Sequence, residues 1–176
     1  ISSSSGRPLS SWIEYIEALN PNVIDLGLDR ISRVYSRLNL TVFKSIPVIE
    51  VAGTNGKGST AALICGALSG SGIKTGLYTS PHLRKFNERI CIDLKPVSDE
   101  LLAWAFEQVY SHSQDIPLTY FEFTTLAAFC CFETEHIHAA VLEIGLGGRL
   151  DAVNILDARI SVITSIGLDH TRILGD

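Results

Sequence analysis

The sequence predicts an α/β fold, a mainly parallel sheet with helices on both faces and a phosphate-binding loop at the end of one strand. Two observations lead there. Short apolar runs suited to buried strands alternate with longer segments of helical periodicity, the pattern of parallel strands joined by crossover helices. In addition, three glycines, one lysine and three hydroxyl residues directly follow an apolar run, in Val51-Ala-Gly-Thr-Asn-Gly-Lys-Gly-Ser-Thr60. At 176 residues and 46% hydrophobic content the chain suits one globular unit with a sizeable core.

Taken in order, residues 1–8 read as a disordered tail, its serines Ser2 to Ser5 above all. Ser10 or Ser11 is expected to cap a helix running through Leu19, with Trp12, Ile13, Tyr15, Ile16 and Leu19 as its apolar stripe and Asn20-Pro21 as its end. After Asp25-Leu-Gly-Leu28, the spacing of Leu28, Ile31, Val34, Tyr35 and Leu38 predicts a second helix. Ile46, Val48, Ile49 and Val51 fit a buried strand, and Ala61 to Leu68 a helix starting near Gly58. A turn at Ser69-Gly-Ser-Gly72 leads to a strand over 75–79 and then to the loop Ser80-Pro81-His82-Leu83. Arg89 to Leu94 alternates as a further strand, and Ser98 with Asp99 and Glu100 marks a helix start. Phe121 to Phe132 is apolar almost all round, which predicts a buried helix or one covered on both sides. Ala139 to Ile144 and Ile160 to Ile166 complete the set of strands.

The glycine-rich segment falls at a strand-to-helix turn, where Gly53, Gly56 and Gly58 allow backbone N–H groups to converge on one anion at a helix N-terminus. Lys57 adds a full positive charge, and Ser59 or Thr60 a hydroxyl for the magnesium that accompanies a nucleotide triphosphate. The spacing departs from the common P-loop: two residues separate Gly53 from Gly56, and Gly58 intervenes before Ser59. A turn that only reverses the chain is the competing reading, and the lysine in this frame argues against it. Glu143 ends a buried strand beside Gly145-Leu-Gly-Gly-Arg-Leu-Asp151. A carboxylate there must be solvated, paired or bound to a cation; pairing with Arg149 and metal ligation stand level. His82, taken alone, reads as a surface histidine.

Composition narrows the function classes. A net charge of −5 with scattered Lys and Arg gives no basic field for nucleic acid. No apolar run reaches the length of a membrane span. Cys65, Cys91, Cys130 and Cys131 lie in apolar segments without metal-ligand spacing, so buried reduced thiols and a cytoplasmic compartment are expected.

Together VAGTNGKGST, YTSPHL, LTYFEF, LEIGLGGRLDAVNI and TSIGLDHT, in this order and spacing, resemble the bacterial dihydrofolate synthase/folylpolyglutamate synthase family within the wider Mur-ligase group. The resemblance covers nearly the whole chain from about Ser10. It implies a Mur-ligase-like ATPase domain over 9–176, with ATP phosphates on Thr54, Asn55, Gly56, Lys57, Gly58, Ser59 and Thr60. It implies magnesium on Ser80, Glu143 and His170, with Ser59 as the phosphate-loop hydroxyl, and catalytic roles for Lys57, Glu143 and His170. The pteroate part of the substrate would be held by Asp25, Leu26, Gly27, Leu28, Thr119, Tyr120, Phe121, Glu122, Arg149, Leu150 and Asp151. Val153 departs from the small or hydroxylated residue usual in the family.

The implied partners are ATP, L-glutamate and dihydropteroate or a folate, on a full-length protein expected to be a monomer. A C-terminal glutamate-ligase domain and a carbamylated lysine beyond Asp176 are also implied, so this stretch alone is expected to bind nucleotide without making amide bonds. A Mur-type peptidoglycan ligase would share the loop but lack the SPHL and LTYFE segments. A nucleotide-binding module without turnover is the reading from another class, and a kinase- or motor-type NTPase conflicts with the loop spacing.

Overall fold

A computed structural model of the chain describes residues 6–19 and 27–167. The elements are α1 (Leu9–Ala18), α2 (Asp29–Leu38), β1 (Val48–Ala52), α3 (Lys57–Gly70), β2 (Thr75–Tyr78), β3 (Ile90–Ile92), β4 (Lys95–Pro96), α4 (Asp99–Ser113), α5 (Tyr120–Thr134), β5 (Ala139–Glu143) and β6 (Ile160–Ile163). The strands form one sheet in the order β4-β3-β2-β5-β1-β6. β2, β5, β1 and β6 run parallel, while β3 and β4 add an antiparallel hairpin at one edge. The C-terminal ends of the parallel strands therefore share one edge of the sheet, where ligands of open α/β folds bind.

Side-chain alternation along the strands separates two cores. Val48, Tyr78, Ile90, Ala140 and Leu142 belong to the larger one, together with α1, α2, α4 and α5. Their neighbours Ile49, Leu77, Cys91 and Val141 face the other way, onto Ala61 and Cys65 of α3. The period of two in strands makes this division, and it explains why α5 is buried from Phe123 to Phe132. One side of α5 meets β2 and β3 and the other meets α4 and α2. Buried hydroxyls pin it down: Tyr78 Oη lies 3.0 Å from Thr124 Oγ1 and accepts from Thr125 Oγ1 at 3.2 Å.

Three local expectations change. Ser10 and Ser11 lie inside α1, which starts after Pro8 without a side-chain cap; proline's fixed φ suits that position. Arg7 packs its guanidinium 4.6 Å from the centroid of the Trp12 ring. The strand expected over 89–94 ends at Ile92, because Asp93 and Leu94 take left-handed backbone angles and turn the chain back into β4. β6 likewise stops at Ile163, short of the expected Ile166. All four cysteines are free and buried, as their apolar settings predict.

Candidate active site

The glycine-rich loop does join β1 to α3. Gly53 has φ +132°, and a Cβ there would fall 2.1 Å from Thr164 Oγ1 and 2.9 Å from Ser165 O, so only glycine lets the loop lie against the segment leaving β6. That segment is bonded to the loop repeatedly. Thr54 N donates to Ser165 O at 2.6 Å, Gly167 N donates to Thr54 Oγ1 at 2.9 Å, and Thr164 Oγ1 donates to Asn55 O at 2.8 Å. Gly56, in the left-handed region, precedes the first residue of α3, and Thr60 N donates to Gly56 O at 2.9 Å. The N–H groups of the first turn lack helical acceptors and aim at the loop's concavity. Lys57 Nζ donates to Gly53 O at 2.8 Å, which places its charge across the loop mouth. Gly53, Thr54, Lys57, Gly145, Gly147 and Gly167 line a cavity of about 270 Å³ here. Asn55, Gly56 and Ser59 are exposed, while Gly58 and Thr60 are half-buried.

Glu143, the last residue of β5, meets this loop from the neighbouring strand. It is 5% exposed, and Oε2 accepts from Ser80 N at 2.8 Å. Its carboxylate packs against the start of α3, so that a Cβ on Gly58 would lie 3.4 Å from Oε2. Burial pushes its pKa up, opposed by the N–H groups of Ser80 and Gly58 and by the charges of Lys57 and Arg89. No ion pair joins Glu143 to Arg149, which is exposed. A cation at the loop would relieve the desolvation of Glu143. Ser80, Glu143 and Ser59 offer the hard oxygens that magnesium prefers. Among the described residues no group of three or more His, Cys, Asp or Glu could hold a metal. His170, Asp25 and Leu26 lie outside the described residues.

The segments assigned to pteroate divide by what their side chains already do. Thr119 caps α5: its hydroxyl accepts from Glu122 N at 3.3 Å, and Glu122 Oε2 accepts from Thr119 N at 2.7 Å. Glu122 also lies 3.3 Å from Arg30. Asp151 is 3% exposed and accepts from Leu146 N at 2.8 Å and Val153 N at 3.0 Å, holding the glycine loop closed. Burial raises its pKa to about 6 despite those bonds. Val153 is fully buried. Gly145 permits the Phe121 ring to approach, since a Cβ would meet Cζ at 2.5 Å. That leaves half-buried Phe121 and exposed Arg149 and Leu150 presented along this rim. Leu28 O accepts from Ser32 N to start α2, and no described residue lies within 4 Å of a Cβ on Gly27. Tyr120 is buried and stacks on the Arg89 guanidinium.

Sequence reasoning missed two features of this edge. The hydroxyls of Thr164 and Ser165 act as braces for the phosphate loop, which a polar pair after a strand would have signalled only weakly. Arg89 and His82 meet in a partly buried contact, Arg89 Nε donating to His82 Nδ1 at 2.9 Å. Arginine directly before an apolar strand carries no sign of burial.

No family model matches the chain. The dihydrofolate synthase/folylpolyglutamate synthase of Escherichia coli K12 is 46% identical over 172 residues, 97% of this chain and 40% of its own length. That of Haemophilus influenzae is 45% identical over 170 residues, 96% of this chain and 38% of its own length. Among solved structures, E. coli FolC in complex with DHPP and ADP matches with a TM-score of 0.91 at 44% identity, over 99% of this chain and 42% of that one. The bifunctional folylpolyglutamate synthase/dihydrofolate synthase of Yersinia pestis complexed with AMPPNP and Mn ion matches with a TM-score of 0.87 at 41% identity, over 97% and 42% of the two chains. The chain thus spans about two fifths of the length of these relatives.

Proposed function

Because this chain is homologous along nearly all its length to the dihydrofolate synthase/folylpolyglutamate synthases, we propose that it supplies the ATP-binding part of a ligase adding L-glutamate to dihydropteroate or to the glutamate tail of reduced folates. The observation that carries this reading is the meeting of two strand ends, with the Glu143 carboxylate held by Ser80 N–H against the Lys57 end of α3. That geometry puts a buried carboxylate, a lysine and helix-start amides around one point, the equipment for a nucleotide's terminal phosphates and their metal.

In the proposed reaction a carboxylate oxygen of the acid attacks the γ-phosphorus of ATP, ADP leaves, and an acyl phosphate remains. Glutamate's amine then attacks the acyl carbon and phosphate departs with the acyl oxygen. Both steps concentrate charge on phosphate oxygens, which Lys57 and the N–H groups at the start of α3 stabilise. Magnesium bound with ATP would be held by Glu143, Ser80 and Ser59, with His170 as a further ligand, and would neutralise phosphate charge. The relatives with ADP, and with AMPPNP and Mn ion, support this choice of cofactors. Phe121, Arg149 and Leu150 would meet the pteroate directly, while Thr119, Glu122 and Asp151 act by shaping the elements around it. The full-length protein is proposed to be a cytoplasmic monomer. Free buried cysteines and the absence, among the described residues, of a helix able to cross a membrane accord with that compartment.

The test is a ligation assay on the full-length protein with ATP and glutamate, offering dihydropteroate and a reduced folate separately. Glutamate-dependent release of ADP and phosphate with at least one acid is expected. No such turnover with either acid would overturn the assignment.

A further inference from the structure

Arg89 is a largely buried cation with no counter-ion among the described residues. It is 7% exposed, and its guanidinium lies 5.3 Å from the centroid of the Phe86 ring and 5.4 Å from that of Tyr120. Nε is satisfied by His82 Nδ1 at 2.9 Å. The two terminal nitrogens have neither a carboxylate at ion-pair distance nor a hydrogen-bond partner among the described residues. The adjacent carboxylate of Glu88 is committed elsewhere, accepting from the N–H groups of Leu83, Arg84 and Lys85. These nitrogens are not among the fully buried polar atoms left without a partner, so they reach solvent and are open to an anion, which a partly desolvated guanidinium would pair with strongly.

Its position says where the anion would come from. Arg89 O accepts from Thr79 N at 2.9 Å, and the next residue, Ser80, donates its N–H to Glu143. In the sheet order, β5 with Glu143 lies between β1, which leads into the phosphate loop, and β2, which leads to the Arg89 side. Arg89 thus flanks Glu143 on the side away from the nucleotide phosphates, and its charge acts on that carboxyl. His82 contributes as well. Its Nδ1 accepts the Arg89 bond, so the neutral ring carries its proton on Nε2 as a second donor.

We propose that Arg89, oriented by His82, binds a substrate carboxylate across Glu143 from the phosphate loop. The inference rests on the ligase reading above, which requires two carboxylate-bearing substrates at this edge. Guanidinium and carboxylate match as a planar two-point pair, and the apolar rings of Phe86 and Tyr120 strengthen the pairing by excluding water.

The test is calorimetry on the full-length protein, in EDTA so that no metal contributes, with two ligand arms: dihydropteroate against its carboxamide, and L-glutamate. Wild type should bind one of these carboxylates roughly ten- to a hundredfold more tightly than Arg89→Met does, with ADP affinity reporting an intact fold. If the loss is in the dihydropteroate arm, the carboxylate belongs to the acid, and the carboxamide should bind both proteins alike. If it is in the glutamate arm, the carboxylate belongs to the amino acid. Arg89→Lys, which keeps the charge without the fork, should fall between. Should Arg89→Met fail to fold, the Lys variant still decides, because unchanged affinity in both of its arms refutes a two-point pair. Wild type that binds the ligands with Arg89 variants that bind equally well would overturn this proposal alone. Wild type that binds neither acid nor glutamate would overturn the ligase reading and this inference with it.

Discussion

Glu50 offers a test of the fold's electrostatics that is independent of any ligand. It sits in the middle of β1, paired in register with Leu142 and Ser161, on the face it shares with Val48. It is 7% exposed, and Oε1 has no hydrogen-bond partner. Burial, with Asp151 and Asp157 nearby, raises its pKa from 4.5 to about 7. The folded state therefore holds a proton that the unfolded chain has released over that interval, so stability falls as pH rises from 4.5 to about 7 and is level above it. A tenfold change in proton affinity is worth about 1.4 kcal/mol, so the rise from 4.5 to about 7 costs the ionised wild type up to roughly 3 kcal/mol. Glu50→Gln removes the ionisation at nearly constant volume. Denaturant unfolding should show the variant more stable than wild type by about 1–3 kcal/mol at a pH near 8, with the gap closing towards pH 4.5. A gap of the same size at both ends, or none at either, would refute the reasoning, because each would mean that Glu50 does not titrate differently on folding.

Other outcomes follow from the site. Lys57→Ala should lose at least about tenfold in nucleotide affinity by calorimetry while its melting temperature stays close to wild type, since the lysine bonds only its own loop. Glu143→Gln should lower metal-dependent turnover, and the apparent affinity for magnesium in a titration of activity, by removing the charge that Lys57 and Ser80 N–H support. Gly145→Ala places a methyl 2.5 Å from the Phe121 ring, so a stability loss of about 1–3 kcal/mol by denaturant unfolding is expected, together with weaker binding of the pteroate acid in calorimetry.

Where the sequence was legible, local chemistry and tertiary packing agreed. The strand-glycine-helix order from Val48 to Gly70, the Ser98 cap on α4 and the all-round apolar α5 each carry their own signal, and each sits as expected. The β3–β4 hairpin was missed because its turn uses Asp93 and Leu94 in left-handed angles, with no glycine to announce it. Thr119 and Glu122 bear the spacing of a capping box, a signal that the sequence carries and that the reading of these residues as substrate contacts left out. Arg89 could not be read at all. Its burial comes from Phe86 and Tyr120, the second of which is more than thirty positions away in the chain. The contact of Glu143 with Ser80 is implied only by the family resemblance, as a shared place around magnesium, since strand order is a property of the whole sheet.

The bonds between the phosphate loop and the segment after β6 bear on how this protein moves. Thr54 and Asn55 are joined to Thr164, Ser165 and Gly167 through both backbone and hydroxyl groups. Two stretches separated by more than a hundred residues thus behave mechanically as one plate. In deuterium exchange, the amides of Thr54 and Gly167 should open together and slow together when nucleotide binds, so that the occupancy of the loop is felt at the far end of β6 as well as at the start of α3.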